Sequence, residues 1–136
     1  MDEKHKEDKF ENLKGRAVAR DCSVMPVVYI CSPYRGYTGL NEHNAKRYCS
    51  FAVKQGCIPF APHLLYPQFL DDGNEDERRI GIYAGLYFLP SCSELWVFGD
   101  RISDGMRTEM RKAEKRRIPI RRFTEDCREI SEGGAI

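Results

Sequence analysis

A parallel α/β sheet with helices packed on both faces is the fold this sequence predicts. Three observations predict it. Four short apolar runs, at Val27–Cys31, 57–60, Glu94–Phe98 and 118–123, have the length and the β-branched or aromatic content of strands covered on both sides. The stretches between them carry helical spacing, so the order is β-α-β-α-β-α-β, the pattern of parallel strands joined by crossover helices. Finally, 136 residues are enough for one domain with its own core.

Each element has a local reason. Residues 1–23 are polar and of mixed charge and are expected to be a flexible arm; MDEKHKEDK lacks the apolar core of a signal peptide. The first strand, VVYIC, is followed by the loop SPYRGYTG. A helix over 41–55 places Ala45, Tyr48, Cys49, Ala52 and Val53 on one face, and Gly56 ends it. The second strand is bounded by Pro59 and Pro62. The irregular stretch HLLYPQFLDDGN then fits neither period, and a lid over a site is one use for such a loop. A helix over 75–89 has acidic residues in its first turn and apolar residues on most sides later, which predicts that it is largely buried. The third strand is ELWVF, with Trp96 most simply in the core. A helix over 103–117 carries Met106, Met110 and Ala113 on one stripe, with Arg107, Arg111, Lys112, Lys115 and Arg116 elsewhere. The domain is thus expected over 24–125, with a C-terminal tail over 126–136.

Composition narrows the function. With 22 basic and 21 acidic residues the net charge is +1, which provides no broad field for nucleic acid or for an anionic membrane. Cys22, Cys31, Cys49, Cys57, Cys92 and Cys127 are scattered, without CxxC or zinc spacing, and read as small buried hydrophobes in a reducing compartment. No apolar run approaches a membrane span, and a cytoplasmic protein is expected. Neither GxGxxG nor a Walker lysine motif occurs, and no cofactor or metal is expected.

In parallel sheets ligands bind beyond the carboxyl ends of the strands, which draws attention to two loops. In SPYRGYTG, Ser32, Arg35, Gly36 and Gly39 combine a hydroxyl, a guanidinium and open backbone just before a helix, groups suited to a phosphate. The same residues also fit a plain turn with a solvated arginine. In GDRISDG, Ser103 suits an N-cap, and Glu109 lies six residues on. Helical side chains lean toward the N-terminus, so the space above Glu109 is the space that residues 105 and 106 cover, and Gly105 covers nothing. The plainer alternative is a surface Glu109 beside Arg107 and Lys112. Tyr29 is a core aromatic, or else a hydrogen-bond donor to a carboxylate on the third long helix. Asp71 and Asp72 are solvated loop carboxylates, or else a proton donor above the site.

Taken together, YICSPYRG, the APH element after the second strand, ELWVFG and SDGMRTE resemble the nucleoside 2-deoxyribosyltransferase-like superfamily, and within it small phage and bacterial proteins of the DUF4406 type. The resemblance spans roughly residues 25–122. It implies a flavodoxin- or Rossmann-like three-layer sandwich with a four- to five-stranded parallel sheet, and cleavage or transfer of an N-glycosidic bond in a (deoxy)nucleoside or its 5′-monophosphate. By the same resemblance Glu109 is the nucleophile and Tyr29 its positioning partner. Ser32, Tyr34, Arg35, Gly36, His63, Ser103, Gly105 and Met106 are the expected substrate-binding set. Family enzymes carry an aspartate before the third strand to protonate the departing base, whereas the comparable stretch here, GLYFLPSCSE, has none. Asp71, Asp72 or Asp76 is left as the substitute. The rival expectation is a nucleotide-binding sensor or sequestering module without turnover. A small-molecule nucleotide or nucleoside is the expected partner in both cases, with no nucleic acid and no membrane, in a homodimer or higher homo-oligomer.

Overall fold

The computed structural model describes residues 22–131; the arm expected over 1–23 falls almost wholly outside that range, as do residues 132–136 of the tail. Among the described residues the strands are β1 (Val27–Cys31), β2 (Ile58–Phe60), β3 (Glu94–Phe98), β4 (Ile120–Phe123) and β5 (Glu129–Ile130). The α-helices are α1 (Thr38–Lys54), α2 (Pro62–Leu65), α3 (Glu75–Phe88) and α4 (Asp104–Lys115). The sheet runs β2-β1-β3-β4-β5. Its first four strands are parallel, as the alternation predicts, and β5 pairs antiparallel with β4.

Strand alternation divides the core in two. Val28 and Ile30 of β1, with Trp96 and Phe98 of β3, face Tyr48 and Ala52 of α1. Tyr29 and Cys31, with Leu95 and Val97, face the other way, toward Met106 and Ala113 of α4. The result is the three-layer sandwich with helices on both faces. On the α1 side the Phe98 ring lies between Tyr48, at 4.1 Å, and Phe123, at 5.0 Å, with nearly parallel planes. Trp96 is buried as expected.

Three elements differ from expectation. α1 starts at Thr38 rather than 41, so Gly39 lies inside the helix, while Gly56, at φ +83°, stands where the expected stop was placed. Second, α3 is not largely buried: Gly85 alone of its residues is fully enclosed, and Ile80, Tyr83 and Tyr87 are 57%, 72% and 69% exposed. The helix meets the sheet through a narrow strip at Gly85 and Leu86, which leaves its outer apolar residues uncovered. The third is β5, which uses residues assigned to the tail; a turn through Cys127 at φ +63° brings it back, and Arg121 on β4 grips Glu129 through two hydrogen bonds of 2.8 and 2.7 Å.

Candidate active site

The carboxyl ends of β1 and β3 open toward α3, the loop before it, and the start of α4. Ser103 caps α4: its Oγ accepts the Met106 amide at 3.2 Å, and its own amide points at the Met106 thioether at 3.5 Å. One and a half turns further on, Glu109 points inward toward β1 and is only 8% exposed. Tyr29 donates its hydroxyl to Glu109 Oε2 across 80 residues of sequence. From the same face of the strand, the Cys31 thiol donates to Glu109 Oε1 at 3.2 Å.

Burial dominates the electrostatics. It pushes the Glu109 carboxyl from 4.5 up to about 7, while the hydrogen bonds from Tyr29 and Cys31 pull the other way without cancelling it. The Tyr29 phenol is raised by its own burial and then by the Glu109 charge, so it stays a donor. His63 is pushed down to about 4 by burial, which leaves a neutral imidazole near pH 7. It stacks on Tyr34 at 5.0 Å and hydrogen-bonds the Ser32 backbone, tying α2 to the β1–α1 loop.

Tyr29 and Glu109 share a pocket of about 80 Å³ with Tyr34, His63, Tyr66, Asp72, Arg78 and Gly105. Ser32 and Arg35 line a second pocket of about 260 Å³ alongside it, with Asn41, Asn44 and Arg101. Ser32 Oγ is buried there without a hydrogen-bond partner. A buried hydroxyl lacking a partner costs about 1–3 kcal/mol, which makes it a ready donor or acceptor for a ligand atom. Arg35 joins the two pockets, because its Nε pairs with Asp72 at 3.2 Å, and Arg78 approaches the other oxygen of Asp72 at 3.8 Å. With Arg35 60% exposed, that pair contributes at most about 1 kcal/mol, so an anionic ligand can take the arginine over.

The expected site residues therefore divide. Glu109, Tyr29, Tyr34, His63, Gly105 and Asp72 meet around one pocket, with Ser32 and Arg35 next to it. Gly36, at φ +102°, shapes the loop between them. Met106 is a core residue and Ser103 is engaged as the cap, although its hydroxyl proton remains available to a ligand. Asp71 accepts the Gly73 amide at 2.9 Å in a turn, and Asp76 pairs with Arg79. Sequence reading missed Cys31, Tyr66, Arg78 and Gly85 as members of the site. Among the described residues no group of three or more His, Cys, Asp or Glu side chains is placed to hold a metal ion, and no helix is long and apolar enough to cross a membrane.

Gly105 leaves the opening that its position suggested: a Cβ built there meets nothing nearer than Ser103 Oγ at 4.0 Å. Gly105→Leu is accordingly expected to keep or slightly raise the melting temperature, since glycine in a helix costs about 1 kcal/mol. It should also fill the space beside Glu109 and abolish ligand binding, as read by calorimetric titration with nucleotides.

Comparison with known proteins places this geometry in context. The model of a family described as a domain of unknown function, DUF7768, matches residues 26–123. This corrects the DUF4406-type assignment suggested by the short motifs, which are too brief to separate neighbouring families. No curated protein matches the chain. Among solved structures, a 2-deoxyribosyltransferase from the psychrotolerant bacterium Bacillus psychrosaccharolyticus is similar in fold, with a TM-score of 0.55, 17% identity and 72% of each chain covered.

Proposed function

We propose an activity from one premise: the chain belongs to the DUF7768 family, a domain of unknown function. The activity is cleavage or transfer of the N-glycosidic bond of a (deoxy)nucleoside 5′-monophosphate. The observation that carries it is the Glu109 carboxylate, buried at the wall of a pocket beyond the strand ends and bonded by the Tyr29 hydroxyl. The fold likeness to a 2-deoxyribosyltransferase supports the same reading.

Glu109 attacks the anomeric carbon, so that a bond from carbon to carboxylate oxygen forms as the bond to the base nitrogen breaks. The departing base carries away the electron pair and takes up a proton. Water, or the nitrogen of a second base, then displaces the glutamate. Tyr34 and Tyr66 offer apolar ring surface to the base. Ser32, Arg35 and the α4 N-terminus hold the phosphate, so that binding energy remote from the reacting atoms aligns the sugar. Asp72 is the pocket carboxylate placed to protonate the base, a role that requires a bound phosphate to draw both Arg35 and Arg78 away from it.

A second reading is favoured by one specific observation: Asp72 is tied to Arg35 and Arg78, and the expected aspartate before β3 is absent. On that reading the protein binds the nucleotide without turning it over. Incubation with each deoxynucleoside 5′-monophosphate, followed by chromatography for free base, separates the two. Base release supports the glycosidase or transferase; tight binding with intact nucleotide recovered supports the sensor. Homo-oligomerisation belongs to the same proposal, through the uncovered side of α3, where Ile80, Tyr83, Ala84 and Tyr87 stand at i, i+3, i+4 and i+7. The cytoplasmic location is supported by all six cysteines being thiols rather than disulfide partners.

A further inference from the structure

We infer that Cys31 is a positioning residue for Glu109, its thiol holding one carboxylate oxygen while Tyr29 holds the other. This rests on Glu109 being the reacting carboxylate of the proposed function. The geometry comes from strand periodicity: residues two apart on β1 point to the same face, so Tyr29 and Cys31 both project toward α4, and Glu109 descends between them. The hydroxyl bonds Oε2 and the thiol bonds Oε1 at 3.2 Å. The thiol's other acceptor, the Met106 carbonyl, lies at 3.9 Å, so the Glu109 oxygen at 3.2 Å is the nearer of the two. A carboxylate held at a single oxygen can still swing about its terminal torsion. Two donors from one rigid strand fix its plane, which is what a nucleophile aimed at one carbon requires.

The chemistry of sulfur suits the task. A thiol is a weak donor, so it orients the oxygen while withdrawing less electron density than a second hydroxyl would. Cys31 is fully buried, and burial together with the Glu109 charge raises its own titration well above the ordinary thiol range, so it remains an S–H donor. The groups facing this pair are Tyr29 from β1, Cys92, which acts on Tyr29, Arg122 from β4, whose charge acts on Cys31, and Tyr34, His63, Tyr66, Asp72, Glu77 and Arg78 around the pocket.

The test compares Cys31→Ala and Cys31→Ser with the parent chain, in two measurements. Base release from deoxynucleoside 5′-monophosphates is followed against pH, and the Glu109 carboxyl is titrated by carbon NMR in protein labelled at glutamate Cδ, assigned by its loss in Glu109→Gln. Removing the donor is expected to lower kcat about tenfold with KM within about twofold. It should also move both the acidic limb and the Glu109 titration to higher pH, since a bond to the charged form is lost. Cys31→Ser keeps a donor and should restore both toward the parent. A packing role predicts the reverse order, with the buried serine the worse variant and the titration unmoved; that result, or an unchanged titration in Cys31→Ala, overturns the inference. If the parent chain releases no base from any substrate while the Glu109 titration still moves, the proposed activity falls and the two-donor clamp stands.

Discussion

Glu109→Gln is expected to abolish base release, by about three orders of magnitude or more, and at the same time to remove a pH dependence of stability. The first effect follows from the amide being unable to attack carbon. The second follows from burial. Folding raises the Glu109 carboxyl from 4.5 to about 7, so the folded protein favours the protonated form. That preference contributes stability which is fully present below about pH 4.5 and lost as pH rises through 7. The difference amounts to on the order of 3 kcal/mol. His63, lowered from 6.5 to about 4, acts in the opposite direction over this window in both chains. The Glu109 contribution is therefore read as a difference: between pH 4.5 and pH 8 Glu109→Gln should gain about that much stability relative to the parent in denaturant titrations. The proposed activity is expected to run the opposite way, rising through pH 7 as the carboxylate ionises. A Glu109→Gln chain whose stability changes between the two pH values just as the parent's does would contradict the buried carboxylate at once.

Gly85→Ala should reduce base release about a hundredfold while barely altering stability. A Cβ at that position comes 2.8 Å from the Tyr29 hydroxyl and 3.1 Å from Pro62 Cγ. Because Tyr29 is itself buried and its hydroxyl bonds Glu109, a shift of that hydroxyl disturbs the bond. Displacing a positioning group by about 1 Å is enough for a loss of that order. The helix-propensity gain of about 1 kcal/mol from replacing glycine offsets part of the steric cost, which is why a thermal melt alone would miss the effect. A double-mutant cycle with Tyr29→Phe gives the decisive reading. With the hydroxyl gone the closest contact is relieved and those to Pro62, at 3.1 and 3.3 Å, remain, so Gly85→Ala should cost less in that background than in the parent. Additive losses in the two variants would show that Gly85 acts through something other than the tyrosine.

The periodic part of the molecule was legible in its residues. Val27–Cys31 and Glu94–Phe98 announce buried parallel strands because both of their faces are apolar, and the stripe of Met106 and Ala113 sets which side of α4 faces them. The encounter of Tyr29 with Glu109 was suggested by the resemblance and is met in the geometry. What stayed hidden depends on distances between remote segments. Cys31 reads as one more small hydrophobe until the thiol is found 3.2 Å from a carboxylate that lies 78 residues away. Gly85 looks like an ordinary blemish in a helix until its missing Cβ proves to be room for a hydroxyl on β1. The exposed side of α3 was concealed for a different reason: apolar residues on most sides erase the one-sided pattern from which burial is read. A two-residue strand such as β5 has no period at all.

α3 is also a partition. Glu77, Arg78, Gly81 and Ile82 form its inner surface against the pocket, while Ile80, Tyr83, Ala84 and Tyr87 form its outer surface toward solvent. A single helix, roughly 10 Å across, is all that stands between them. Whatever presses on the outside presses on the same rod that carries Arg78 toward Asp72 and holds Gly85 clear of Tyr29. A partner on the outer side, as proposed above, would therefore rest on the helix that also walls the pocket.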